Sequence, residues 1–241
     1  MSWQPMRLSQ PKRGYRYSVD ALLLAAFAAR FRPRRWLDLG TGCGVVAAHL
    51  SAYLPESRGM AVERQPELAA HARTNLAAAP VGLIEGDART FPWRREVFDL
   101  IACNPPYYAH GSGRLKKDPV AAAARHALHG DLVDFCDALF GALTPQGRFC
   151  AVLPCTSYER MEPRLVARGW FPWVRLWVRP FADRVPNLVC FALGKTLVDR
   201  PCSGEMVLYR AHRLFSERAH DFFALRGDEV PIWSEDHSLL E

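Results

Sequence analysis

The chain has 241 residues, the size of one domain at roughly 100–200 residues per domain. Hydrophobic residues make up 49% of it and charged residues 23%, which is typical of a globular protein and excludes a disordered chain. The longest strongly apolar run, residues 21–29, is far shorter than the roughly 20 residues that span a bilayer. Basic residues precede this run as in a signal peptide, but Asp20 adjoins it, so we expect it to form a helix of a cytoplasmic protein with no membrane segment.

Basic residues concentrate near the amino terminus. The net charge is +6, and residues 1–35 carry eight basic residues against the single acid Asp20, so this segment has a charge of +7 and the rest of the chain −1. A basic segment on a neutral body suits a phosphate backbone as partner. Solvated surface charge on an arginine-rich protein would give the same count, so charge alone leaves both interpretations open.

The seven cysteines are odd in number and form no Cys-x-x-Cys pair. Several of them, such as Cys150 and Cys190, lie inside apolar runs, which predicts reduced core thiols rather than disulfides or a zinc site. The eight histidines include no His-Glu-x-x-His motif, and we expect no metal.

From residue 36 onward, short apolar runs alternate with amphipathic stretches, which predicts an α/β fold with a mostly parallel sheet covered by helices. The predicted strands are 36–39, 59–63, 81–84, 98–103, 148–153, 174–178 and 188–193. The predicted helices are 45–54, 67–78, a helix that Asp131 caps and whose apolar face includes Leu143, and 157–168 with Gly169 as its end. No helix pattern separates the last two strands, so we predict a seven-stranded sheet that ends in an antiparallel pair.

A glycine-rich turn joins the first predicted strand to the helix that follows. Gly40, Gly42 and Gly44 let the backbone turn sharply and approach a ligand, while the helix amino terminus offers free N–H groups. The dinucleotide fingerprint would need a small residue where Val45 stands, which makes an NAD site the second choice.

Three acids accompany this glycine loop. Asp38 precedes it, Glu63 ends the second strand, where a carboxylate can accept both ribose hydroxyls, and Asp87 follows the third strand, where a carboxylate can meet an adenine amino group. An ordinary strand-to-helix turn would not require acids at the ends of the next two strands. Together these residues resemble the S-adenosylmethionine site of class I methyltransferases, which implies a Rossmann-like fold.

The sequence Asn104-Pro105-Pro106-Tyr107 follows the fourth predicted strand, at the sheet edge where open α/β sheets bind ligands. A plain proline-rich turn is the structural alternative. The motif resembles the (Asn/Asp/Ser)-Pro-Pro-(Tyr/Phe/Trp) motif of methyltransferases that act on a planar, conjugated nitrogen. The side-chain oxygen of Asn104 and the carbonyl of Pro105 can each accept one N–H of such an amine, the prolines stiffen the loop, and Tyr107 can stack on the base.

Further segments resemble the bacterial tRNA(Val) adenine-37 N6-methyltransferase family. They are the stretch 10–25, the second tyrosine Tyr108 after the motif, Ala124-Arg125-His126 and the run 147–154, and the resemblance extends from about residue 8 to 193. It implies S-adenosylmethionine as cofactor, tRNA as substrate, and Ser18 and Asp20 as cofactor neighbours. The residues then expected to hold RNA phosphates are Lys12, Arg13, Arg16, Arg114, Lys116 and Lys117.

This resemblance divides the chain into a basic segment 1–35 with a helix that covers the cofactor, a methyltransferase domain 36–200, and an extension 201–241 of unassigned role. Glutamine methyltransferases of release factors carry the same motif, but they resemble a longer chain with a helical domain ahead of the loop. Because Asp38 comes early in this sequence, we expect that domain to be absent. An rRNA target and a catalytically silent RNA-binding relative are the remaining alternatives. The tail after residue 201 and the polar, basic loop 109–118 depart from the family pattern, and the oligomeric state is left open.

Overall fold

A computed structural model describes residues 6–12, 17–105, 132–212 and 214–226. The helices in these ranges are α1 (Val19–Ala29), α2 (Val45–Tyr53), α3 (Pro66–Asn75), α4 (Leu132–Leu139), α5 (Cys155–Val166) and α6 (Glu217–Phe223). The strands are β1 (Arg35–Leu39), β2 (Arg58–Glu63), β3 (Val81–Glu85), β4 (Phe98–Cys103), β5 (Leu143–Pro154), β6 (Phe171–Arg179), β7 (Leu188–Gly194), β8 (Cys202–Val207), β9 (Tyr209–Ala211) and β10 (Leu214–Phe215).

Eight of these strands form one sheet in the order β3-β2-β1-β4-β5-β7-β6-β8. The pairs among β1 to β5 are parallel, and β7 is antiparallel to both β5 and β6. The predicted antiparallel pair is therefore confirmed, but the predicted strand count of seven is wrong. The additional strand is β8, which pairs in parallel with β6. It forms the edge of the sheet, where the prediction placed the antiparallel pair.

The central strands are buried because helices cover both faces of the sheet. Side chains alternate along β1, so that Leu37 and Leu39 enter one apolar cluster and Trp36 enters the other. The first cluster includes α4 and α5, and the second includes α1, α2 and α6. Strands enclosed in this way form near-continuous apolar runs, which is why their positions are visible in the sequence.

Helix α1 is apolar all round and has every residue from 21 to 29 buried. It packs on the sheet and on α2, and α6 covers it from a third side. The hydroxyl of Tyr53 donates to the carbonyl of Phe223 at 2.7 Å, which holds the end of α6 against α2. Within the described ranges, no helix is both long and apolar enough to cross a membrane.

One predicted helix extends too far, because α4 ends at Leu139 and Leu143 already pairs with Phe98 as the start of β5. A shift in register between Phe98 and Leu100 accommodates residues 144–147 within this pairing. Helix α5 begins and ends two residues earlier than predicted and contains Pro163 in its last turn. Gly169 follows it in the left-handed region, with φ of 81°, as its terminating role requires.

Candidate active site

A cleft opens at the carboxyl ends of β1, β2, β3 and β4. Strand β1 lies between β2 and β4, so the chain adds β2 and β3 on one side of β1 and then crosses to add β4 on the other side. Open α/β sheets bind ligands at the position where the strand order reverses in this way. The cavity measures about 250 Å³. Six of the residues that the sequence nominates line it together, namely Gly40, Gly42, Glu63, Asp87, Asn104 and Pro105.

The glycine loop requires its glycines for two different reasons. Gly40, Gly42 and Gly44 all have positive φ, at 66°, 58° and 80°. A Cβ on Gly44 would lie 3.3 Å from the Cα of Ala72, so this glycine also lets α2 approach α3 closely. A Cβ on Gly40 would meet nothing within 4 Å, because this residue borders the open cleft.

Asp38 supports the loop from within the fold and does not line the cleft. Its buried Oδ2 accepts hydrogen bonds from the hydroxyl of Thr41 at 2.5 Å and from the backbone N–H of Ala47, in the first turn of α2, at 2.9 Å. Burial raises the pKa of Asp38 to about 7, although both hydrogen bonds act in the opposite direction. The carboxyl group therefore fixes the loop to the start of α2.

Glu63 reaches from the end of β2 to the same loop. Its Oε2 accepts a hydrogen bond from the N–H of Gly42 at 2.9 Å, and its Oε1 accepts one from the N–H of Gln65 at 2.8 Å. The side chain is buried by the protein but borders the cavity. Each carboxylate oxygen has a second lone pair, so both can still accept a hydrogen bond from hydroxyl groups of a ligand.

Asp87 is held by an arginine that the sequence analysis did not nominate. The Nε and Nη2 of Arg89 donate to the two oxygens of Asp87 at 2.9 and 2.5 Å, and the N–H of Arg89 adds a third bond at 3.0 Å. These bonds, the side-chain one first, lower the pKa of Asp87 to about 2. The guanidinium carbon of Arg89 also lies 5.5 Å from the ring centroid of Phe135 on α4, which borders the cleft. The short Asp-x-Arg spacing after β3 is the one sequence signal that could have identified Arg89.

Asn104 and Pro105 directly follow β4 and are half-buried in the wall of the cleft. The rest of the motif, Pro106 and Tyr107, lies outside the described residues. So do the predicted RNA contacts Arg13, Arg16, Arg114, Lys116 and Lys117.

The remaining nominated residues are not in the cleft lining. Ser18 is exposed and directly precedes α1, Asp20 is half-buried in the first turn of that helix, and Lys12 is exposed. In the part of the chain that the structure describes, no three His, Cys, Asp or Glu side chains are grouped so that they could hold a metal ion.

Several known proteins with similar sequences carry the same name. The chain is 32% identical over 217 residues to a tRNA1(Val) (adenine(37)-N6)-methyltransferase of Aeromonas salmonicida, and the match covers 85% of this chain and 89% of that protein. A protein of the same name from Citrobacter koseri is 30% identical over 228 residues, with 92% of this chain and 84% of that protein covered. The chain belongs to the tRNA1(Val) (adenine(37)-N6)-methyltransferase family. The resemblance that the sequence motifs indicated is thereby confirmed.

Two broader comparisons concern the methyltransferase domain and its fold. A family model described as a methyltransferase domain matches residues 37–129. The structure of a predicted O-methyltransferase from Agrobacterium tumefaciens superimposes with a TM-score of 0.67 over 86% of this chain and 97% of that chain, at 18% sequence identity. At this identity the likeness shows the fold, and it confirms the predicted Rossmann-like class I methyltransferase architecture.

Proposed function

We propose that this protein transfers a methyl group from S-adenosylmethionine to the N6 amine of an adenine in tRNA, at position 37 of tRNA1(Val). The observation that carries the proposal is that Asn104 and Pro105 open into the same cleft as Gly40, Gly42 and Glu63, in a chain of this family. An acceptor pair for an amine and a binding site for a nucleoside cofactor thus share one cavity.

The residues of the cleft fit S-adenosylmethionine. Glu63 keeps free lone pairs for ribose hydroxyls, and Asp87 keeps one on Oδ2 for an adenine amino group, since Arg89 occupies the other directions. Gly40 leaves room for close approach of a ligand to the backbone. When bound, the cofactor supplies an activated methyl group on a positively charged sulfur.

Asn104 and Pro105 would bind and orient the amine that accepts this methyl group. The exocyclic nitrogen of adenine shares its lone pair with the ring and is a poor nucleophile. Two acceptors that each take one N–H would hold the nitrogen in place and favour its pyramidal form, in which the lone pair is free to react. A strong general base is unnecessary, because the proton can leave after the transfer.

Basic residues would contact the phosphates of the RNA substrate. We assign the phosphate contacts to the amino-terminal residues Lys12, Arg13 and Arg16 and to Arg114, Lys116 and Lys117 in the predicted basic loop 109–118. Lys12 is exposed, as a phosphate contact requires. A cytoplasmic location would follow from a tRNA substrate.

The test incubates purified protein with labelled S-adenosylmethionine and either total RNA from cells that lack the gene or a release-factor protein. Nucleosides and peptides are then identified by mass spectrometry. We expect N6-methyladenosine in the tRNA fraction, abolished by ribonuclease treatment before the reaction.

Three outcomes would contradict the proposal. Label in the release factor that is insensitive to ribonuclease would identify a glutamine methyltransferase. Label confined to rRNA would change the substrate. Binding of RNA without any transfer would identify a catalytically silent relative.

A further inference from the structure

Asn75, the last residue of α3, connects the glycine loop to the amino-terminal segment 6–12. Its Nδ2 donates hydrogen bonds to the carbonyl of Cys43 at 2.7 Å and to the carbonyl of Ser9 at 2.8 Å. Its Oδ1 accepts a hydrogen bond from the N–H of Ser9 at 2.7 Å. Both amide hydrogens and the amide oxygen are thus engaged, which fixes the orientation of the side chain.

The bond to Cys43 acts on the part of the loop that borders the cleft. Cys43 lies between Gly42, whose N–H is bonded to Glu63, and Gly44, which packs closely on α3. Because Cys43 directly follows Gly42, we expect a displaced Cys43 carbonyl to shift Gly42 and its hydrogen bond to Glu63.

The amino-terminal segment is anchored at several points besides Asn75. The hydroxyl of Ser9 is hydrogen-bonded to Nδ1 of His71 at 2.7 Å, and Pro11 is buried. The N–H of Met6 approaches Nε2 of His49 on α2 at 3.5 Å. The segment therefore has a defined path across α2 and α3, and Ser9 meets Asn75 with two backbone hydrogen bonds.

We propose that Asn75 is a positioning residue for cofactor binding, through which segment 6–12 holds the glycine loop in its binding conformation. Neither Asn75 nor Ser9 lines the cleft, so their effect on a ligand is indirect. The inference deepens the proposed function and rests on it, because it assumes that the cleft binds S-adenosylmethionine.

Two substitutions at Ser9 separate this role from general stability. Ser9→Pro removes the N–H that Asn75 accepts, whereas the control Ser9→Ala removes only the bond to His71 and keeps both backbone bonds to Asn75. The measurement is the Kd for S-adenosylhomocysteine by calorimetry, with KM for S-adenosylmethionine, kcat and the unfolding temperature measured on the same samples.

We expect Ser9→Pro to raise the Kd about three- to tenfold, as the loss of one hydrogen bond predicts, and Ser9→Ala to leave it unchanged. Asn75→Ala should raise the Kd at least as much. The double variant Ser9→Pro with Asn75→Ala should have the same Kd as Asn75→Ala alone, because both substitutions act through the same contact. KM should rise while kcat at saturating cofactor stays the same, since Asn104 is not affected. If Asn75→Ala does not fold, the comparison of Kd between Ser9→Pro and Ser9→Ala tests the inference by itself.

Wild-type affinity in Ser9→Pro, or equal losses of affinity in Ser9→Pro and Ser9→Ala, would overturn the inference. A failure of the wild-type protein itself to bind S-adenosylhomocysteine would contradict the proposed cofactor and, with it, the site on which this inference rests. The two failures are therefore distinguishable in one set of measurements.

Discussion

Asn104 carries the chemical part of the proposal, because its side-chain oxygen is an acceptor in the cleft wall directly after β4. We predict that Asn104→Ala lowers the rate of methyl transfer by about 100-fold or more, the scale on which single preorganised hydrogen-bonding groups act in catalysis. Binding of S-adenosylhomocysteine should stay close to that of the wild type, since Glu63 and the glycine loop are unchanged. Turnover within a few-fold of the wild type would remove Asn104 from this role.

Arg89 is the residue that holds Asp87 in position. In Arg89→Met the carboxyl group loses its two-pronged partner, so its pKa should rise from about 2 towards its ordinary value and its orientation should become variable. We expect affinity for S-adenosylhomocysteine to fall about tenfold, with Arg89→Lys intermediate because it keeps the charge without the fork geometry. Unchanged affinity in Arg89→Met would show that Asp87 does not contact the cofactor.

Asp38 gives the fold a specific dependence on pH. Because its pKa is raised from 3.8 to about 7 in the folded protein, the folded state binds more protons than the unfolded state between these values, and stability falls as pH rises through this range. Asn at this position keeps an oxygen that can accept from Thr41 and Ala47 but does not titrate.

We therefore predict that wild-type protein loses about 2 kcal/mol of unfolding free energy relative to Asp38→Asn between pH 5 and pH 7. Urea denaturation of both proteins at the two pH values measures this difference. Other titrating groups, such as the buried His49, are common to both proteins and cancel. Parallel pH profiles for the two proteins would contradict the assignment.

At the scale of elements, α6 completes the core that α1 begins. Phe223 is fully buried, and its ring packs edge-on against Phe215 at 5.0 Å. We predict that Phe223→Ala lowers the free energy of unfolding by about 3–5 kcal/mol. The matched control Leu197→Ala, at a side chain that is 69% exposed, should change it by less than about 0.5 kcal/mol. Similar small losses from both substitutions in urea denaturation would show that α6 does not belong to the cooperative unit.

Elements with a strong apolar pattern could be predicted from the sequence, and those without one could not. Strand β4 and helix α1 are almost entirely buried, so their apolar runs mark them clearly. Every residue of strand β8 except Met206 is exposed or half-exposed, and the apolar alternation there is too weak to distinguish the strand from a loop. Leu143 fits a helical spacing as well as a strand start, and only its pairing with Phe98 decides between them.

At the scale of the whole molecule, the order of the strands explains which site residues could be predicted. Gly40, Glu63 and Asn104 each end a recognisable strand or begin the turn after it, so a parallel sheet brings them to one edge. Asn75 acts through contacts between segments that are set by packing, and its own neighbourhood in sequence carries little sign of them. Arg89 is marked in the sequence only by its Asp-x-Arg spacing from Asp87, and its contact with Phe135 depends on how α4 packs. For Asp38, the sequence predicts its position next to the glycine loop but not that its side chain is buried beneath that loop.

The most direct test of the whole account uses unmodified transcripts of tRNA1(Val). One transcript carries adenosine at position 37 and the other guanosine, and both are incubated with the protein and S-adenosylmethionine before digestion and mass spectrometry of the nucleosides. We predict N6-methyladenosine from the first transcript and none from the second. Equal methylation of both transcripts, or methylation of neither by protein that binds the cofactor, would contradict the proposed reaction.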